Sequence, residues 1–206
     1  MIAAATDTSA VTNEWAMTEV IKHPGVLRKV QEELDRVVGT DRLVQESDLA
    51  HLTYLRCVVR ETFRLHPAGP FLIPHESTMA TKLMGYDIPA KTRVFINTYA
   101  LGRNRRVWDD VDAFRPERHL PPEGSGGADF RILPFSAGKR RCPGARLGVI
   151  MVLMALATLF HCFDWSPPEG VRCKEIDTEE VYGMTMPKAK PLVAAARPRL
   201  APNLYD

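Results

Sequence analysis

The chain has 206 residues, 45% hydrophobic and 25% charged, which is ordinary globular usage and excludes a disordered tail, a collagen-like fibre or a coiled coil. Lys and Arg number 27 against 25 Asp and Glu, a net charge of +2, so nothing electrostatic points to nucleic acid or an anionic membrane as a partner. The 16 prolines favour many loops. The four dispersed cysteines, Cys57, Cys142, Cys162 and Cys173, suit neither a disulfide scaffold nor a structural zinc site, and a reducing, cytosol-facing environment is expected.

The chain opens with a small-residue run, Ile2 to Ala5, too short and without the basic flank of a signal peptide. Residues 3–22 read as a helix carrying Val11, Trp15, Val20 and Ile21. Pro24 suits the first turn of a second helix, where Leu27, Val30, Leu34, Val37 and Val38 recur at helical spacing until Gly39. Ser47 is the expected cap of a short turn, and Thr53 that of a helix with Leu55, Val58, Val59, Phe63 and Leu65, ending at Pro67. Short strands are expected at 71–73, 82–84 and 93–96. From Trp108 to Ser136 no period holds, and so long a loop is commonly functional. Residues 144–162 return to helix. Their apolar run, 147–160, falls short of the ~20 residues that span a bilayer, so a buried core helix is expected. The proline-rich tail suits only turns and edge strands.

The sharpest motif is Phe135-Ser-Ala-Gly138-Lys-Arg140-Arg-Cys142-Pro-Gly144. It delivers one thiol to a helix start, where the helix dipole and free N–H groups favour a thiolate. Arg140 adds positive charge, and Gly138 and Gly144 let the backbone approach a flat object. That is the set a cysteine-ligated haem iron needs.

This loop resembles the haem-binding loop of the cytochrome P-450 family, the haem-thiolate monooxygenases. Three more family features follow the right order. Glu61-Thr-Phe-Arg64 resembles the family's Glu-x-x-Arg helix. Pro116-Glu117-Arg118 resembles its Pro-Glu-Arg segment, with His119 where Phe is common. Residues 4–9, Ala-Ala-Thr-Asp-Thr-Ser, resemble the oxygen-activating stretch of the central helix, with Ala5 where Gly is frequent. The resemblance covers essentially all of residues 1–206 and corresponds to the C-terminal part of that fold. It implies a mainly α architecture with small β-sheets, lacking the N-terminal half.

The resemblance implies haem b held through Cys142 as the metal ligand, with Phe135, Gly138, Arg140, Gly144 and His75 around the cofactor. Thr8 would hold water and oxygen and Asp7 would relay protons. Glu61, Arg64 and Arg118 would form a structural network. Residues 71–73 and 183–187 would line a lipophilic pocket. No dinucleotide fingerprint is present, so NADPH would act indirectly through a flavoprotein reductase, for which Lys139, Arg140 and Arg141 are a candidate docking face. The finer resemblance is to plant microsomal members, and to the branch that hydroxylates mid-chain fatty acids within the chain. It implies the cytosolic face of the endoplasmic reticulum, with membrane attachment through an N-terminal anchor outside this chain. Residues 1–206 alone are expected to bind haem weakly and turn over poorly. The alternatives are a haem-thiolate isomerase that does not use O2 and a non-catalytic remnant.

Overall fold

A computed structural model describes residues 2–120 and 129–205. Residues 121–128, part of the expected long loop, lie outside the described residues. Helix α1 (Ile2–Lys22) runs into α2 (Pro24–Val37), with Pro24 at the first turn as expected. A 3₁₀ turn (Glu46–His51) leads to α3 (Thr53–Leu65). Short strands follow: β1 (His75–Glu76), β2 (Thr81–Leu83), β3 (Tyr86–Ile88) and β4 (Arg93–Val94). Helix α4 (Thr98–Gly102) precedes irregular chain with a 3₁₀ turn at Pro116–His119. Helix α5 (Ala145–Cys162) leads straight into β5 (Phe163–Ser166), and β6 (Ala195–Pro198) closes the chain. Three antiparallel pairs form, β1 with β4, β2 with β3 and β5 with β6.

Four helices share one apolar core. Val20 and Ile21 of α1, Val30 and Leu34 of α2, Leu55 and Val58 of α3, and Leu153, Leu156 and Phe160 of α5 are all buried in it. Helix α5 is long and apolar enough, by length and composition, to cross a membrane. One face of it is in the core: Val152, Leu153, Leu156, Ala157 and Phe160 are buried, whereas Leu147 is 63% and Met151 56% exposed. The expectation of a buried core helix therefore holds from Val152 onward and only in part before it. Its last carbonyls are satisfied by Arg199, which donates to Phe160 O and His161 O and also pairs with Asp35 of α2.

Several local expectations are corrected. Ser47 does not cap the 3₁₀ turn; Gln45 does, with Asp48 accepting from its backbone N–H at 2.9 Å. Thr53 does not cap α3. The carboxylate of Glu33, one helix away, accepts from the amides of Tyr54 (2.7 Å) and Leu55 (2.9 Å). Residues 71–73 form a turn, because Leu72 takes φ 53°, a left-handed conformation that breaks an extended chain. Met84 (φ 50°) and Gly85 (φ 89°) form the two-residue turn between β2 and β3, so the expected 82–84 strand lies one residue earlier and a second strand pairs with it, while the expected 93–96 strand is only Arg93–Val94.

Candidate functional site

The Glu-x-x-Arg pair of α3 is the centre of a closed polar cluster. Glu61 and Arg64 are fully buried and bonded twice, Nε to Oε2 at 2.9 Å and Nη2 to Oε1 at 2.8 Å. Arg118 donates to Glu61 Oε1 at 2.9 Å, the Arg115 amide does so at 2.9 Å, and His119 Nε2 donates to Oε2 at 2.8 Å. Burial by itself would raise the Glu61 carboxyl; hydrogen bonds from His119 and Arg64 outweigh it and hold the group at about 2. Arg64 also donates to the carbonyls of Gly102, Val111 and Ala113, fastening the irregular chain to α3. Trp108 lies beneath the guanidinium groups of Arg64, Arg118 and Arg131 at 5.2–5.9 Å.

His119 and Gly102 are the members that sequence reasoning missed. His119 stands where the resemblance expects Phe, and it completes the Glu61 cluster while packing edge-on to Trp108 at 5.8 Å. The signal was a polar residue in an apolar slot. At Gly102, a Cβ would meet Arg64 O at 2.1 Å, so α4 can press against α3 only with glycine there. No short-range pattern marks it.

The cysteine loop is open where the Glu61 cluster is closed. Ser136 (φ 61°) and Gly138 (φ 74°) turn the chain through a 3₁₀ turn (Gly138–Arg140). The Cys142 amide then donates to Phe135 O at 2.9 Å. Phe135 packs edge-on to Phe63 of α3 at 5.4 Å, which ties the loop to the core. Cys142 is exposed, three residues before α5 begins. Gly144 leaves its neighbourhood bare, since a Cβ there would sit 3.8 Å from Cys142 Sγ. Asp129 pins the stretch before the loop, accepting from Arg60 of α3 at 2.8 Å and from Arg131 at 2.9 Å.

The remaining expected site residues are placed as follows. Thr8 lies on the exposed N-terminal half of α1 and its hydroxyl donates to Ala4 O at 2.8 Å, a bond that perturbs a helix locally. Asp7 is exposed beside it. His75 opens β1, paired with Val94 of β4. Among the described residues, neither His75 nor Arg140 has a side-chain hydrogen bond or ion pair.

The exposed thiol, the bare glycines and the uncovered Leu147 and Met151 one turn on fit a flat, largely apolar group ligated by one sulfur. Among the described residues no group of three or more His, Cys, Asp or Glu is placed to hold a metal ion. Two cavities are described elsewhere, one between α3 and α5, lined by Cys57, Arg60, Phe63 and Leu153, and one along residues 105–113.

Residues 1–194 match the model of the cytochrome P-450 family. The chain belongs to the cytochrome P-450 family. It is 75% identical over 212 residues to cytochrome P-450 703A2 of Oryza sativa subsp. japonica, covering all of this chain and 40% of that relative. The protein of the same name from Arabidopsis thaliana is 74% identical over 211 residues, with the same coverage. A flavonoid 3',5'-hydroxylase of Crocosmia x crocosmiiflora is 46% identical over 212 residues, again across the whole chain and 40% of the relative. A solved zebra fish cytochrome P-450 with progesterone superposes with a TM-score of 0.85 at 31% identity, over 96% of this chain and 44% of that one. The chain thus spans about 40% of the length of the curated relatives it matches, and its architecture is a partial cytochrome P-450 fold.

Proposed function

We propose that residues 1–206 form the cysteine-bearing part of a haem-dependent monooxygenase, which hydroxylates a lipophilic substrate of the fatty-acid class. It would use O2 and electrons passed from NADPH by a flavoprotein reductase at the cytosolic face of the endoplasmic reticulum. The observation that carries this reading is the exposed Cys142 thiol at the start of α5, in a chain of this family. Haem, when bound, supplies oxygen activation and electron transfer.

The chain's own residues do the rest. Cys142 Sγ would ligate the iron, its position set by the hydrogen bond from the Cys142 amide to Phe135 O just ahead of α5. Gly138 and Gly144 admit the macrocycle edge. His75 and Arg140 carry free donors for the propionates. Thr8 Oγ1, whose proton is given to Ala4 O, presents its lone pairs to a water. Asp7 beside it takes protons from solvent and passes them to that water. Leu147 and Met151 exclude water from the sulfur side. The apolar side chains of Phe71, Leu72, Ile73 and Met184 suit an aliphatic chain.

Because the face around Cys142 is open on this chain, residues 1–206 alone would hold haem weakly. Titration of the chain with haem, read as the ferrous–CO spectrum, tests this. A weak thiolate-type band, lost in Cys142→Ser, is expected. A strong, stable band overturns the weak binding, and a band indifferent to Cys142→Ser overturns the ligation. For the whole enzyme, reductase-dependent hydroxylation of fatty acids is the expected activity, and failure to consume O2 with them overturns the substrate class.

A further inference from the structure

Outside the cysteine loop, the molecule holds a second buried polar cluster that the proposed chemistry does not use. His66, just past α3, is buried and stacks on Trp15 of α1 with ring centroids 3.9 Å apart and planes 1° from parallel. Its Nε2 lies 2.9 Å from Glu19 Oε1 of α1, and its Nδ1 lies 3.1 Å from Glu180 Oε1. A neutral imidazole has only one N–H. Each ring nitrogen faces a carboxylate from a different segment, Glu19 on α1 and Glu180 further along the chain. Burial works to raise Glu19, but its hydrogen bond and charge contact with His66 outweigh this and hold it below the usual carboxylate range.

Glu180 belongs to a hairpin-like segment, 177–190, closed by a bridge between Glu180 and Lys188. The Val181 amide donates to Pro187 O at 2.9 Å and the Ala189 amide to Glu179 O at 2.7 Å. At its tip Met184 is 90% exposed, and Tyr182 packs edge-on to Phe71 at 5.9 Å. The far limb has its own anchors. Trp15 Nε1 donates to Met186 O at 2.9 Å, the Met186 amide donates to Ala68 O at 3.1 Å, and the Lys188 ammonium lies over the Trp15 ring at 5.0 Å. The near limb has His66.

We propose that His66 is a positioning residue, a doubly bonded latch that holds the 177–190 hairpin, and with it the Met184 tip, to helices α1 and α3. That the tip faces substrate rests on the function proposed above; that the hairpin is latched does not. The titratable groups around the latch are Glu19, Lys22 and His23 of α1, Tyr99 (which also hydrogen-bonds Glu180) and Arg103 at α4, and Asp177 and Lys188 of the hairpin.

Hydrogen exchange on the 206-residue chain tests the latch and is independent of haem titration. Glu180→Ala removes the hairpin's side of it at a partly exposed position. The Val181, Met186 and Ala189 amides should then exchange about tenfold faster, from loss of the Glu180 contacts to His66 and Tyr99, while α3 amides keep their rates. Unchanged hairpin rates, or acceleration shared equally by α3, would each overturn the proposal.

Discussion

Glu61 and Cys142 are both ionisable groups that this fold sets against helix α3, one on it and one on the loop Phe135 ties to Phe63. Glu61 is fully buried and receives five hydrogen bonds, from Arg64 twice, Arg115, Arg118 and His119. Cys142 is exposed, and among the described residues its sulfur has no hydrogen-bond partner. A buried carboxylate must be completed from within the chain, because an unpaired one costs several kcal/mol. A group meant for a ligand must be left incomplete by its own chain. The first region fixes the path of residues 102–119; the second is left exposed, as the function proposed above requires.

Substitutions can break this contrast from the strongest side first. Glu61→Ala leaves Arg64 buried and unpaired, and should cost about 3–5 kcal/mol in urea unfolding of the chain. Acid should act on the same group. Its folded value is about 2 against an ordinary 4.5, so its contribution is complete above pH 4.5 and is lost as the pH falls toward 2. That difference corresponds to roughly 3 kcal/mol, read as a falling unfolding midpoint in acid. Glu61→Gln should flatten the profile.

Gly102→Ala drives a methyl into Arg64 O and should cost about 1–3 kcal/mol, with α4 amides losing exchange protection first. Cys142→Ser should change stability by less than about 0.5 kcal/mol, since the thiol is exposed, while removing any thiolate-type haem spectrum. If Cys142→Ser destabilised as much as Gly102→Ala, the division between a closed frame and an open site would fail.

The helices were legible because burial repeats at helical spacing: α1, α2, α3 and α5 lie within a residue or two of the expected spans. The strands were less so. Leu72 and Met84 enter the left-handed region, and no residue-type preference announces that for a Leu or a Met. The caps failed for a different reason. Ser47 and Thr53 are good local candidates, but Gln45 and Asp48 close the first turn, and Glu33 reaches α3 from another helix. A contact spanning 21 residues leaves no trace in a window.

Sequence alone determined the cysteine loop, the Glu61–Arg64 spacing and the family resemblance, because each is a short pattern of particular residue types. Tertiary structure decided that His119 completes Glu61, that Gly102 must lack a side chain, and that His66 joins Glu19 to Glu180. Those facts depend on which segments the shared core brings within hydrogen-bonding distance. That is set by how four helices pack together, not by the order of residues along any one of them.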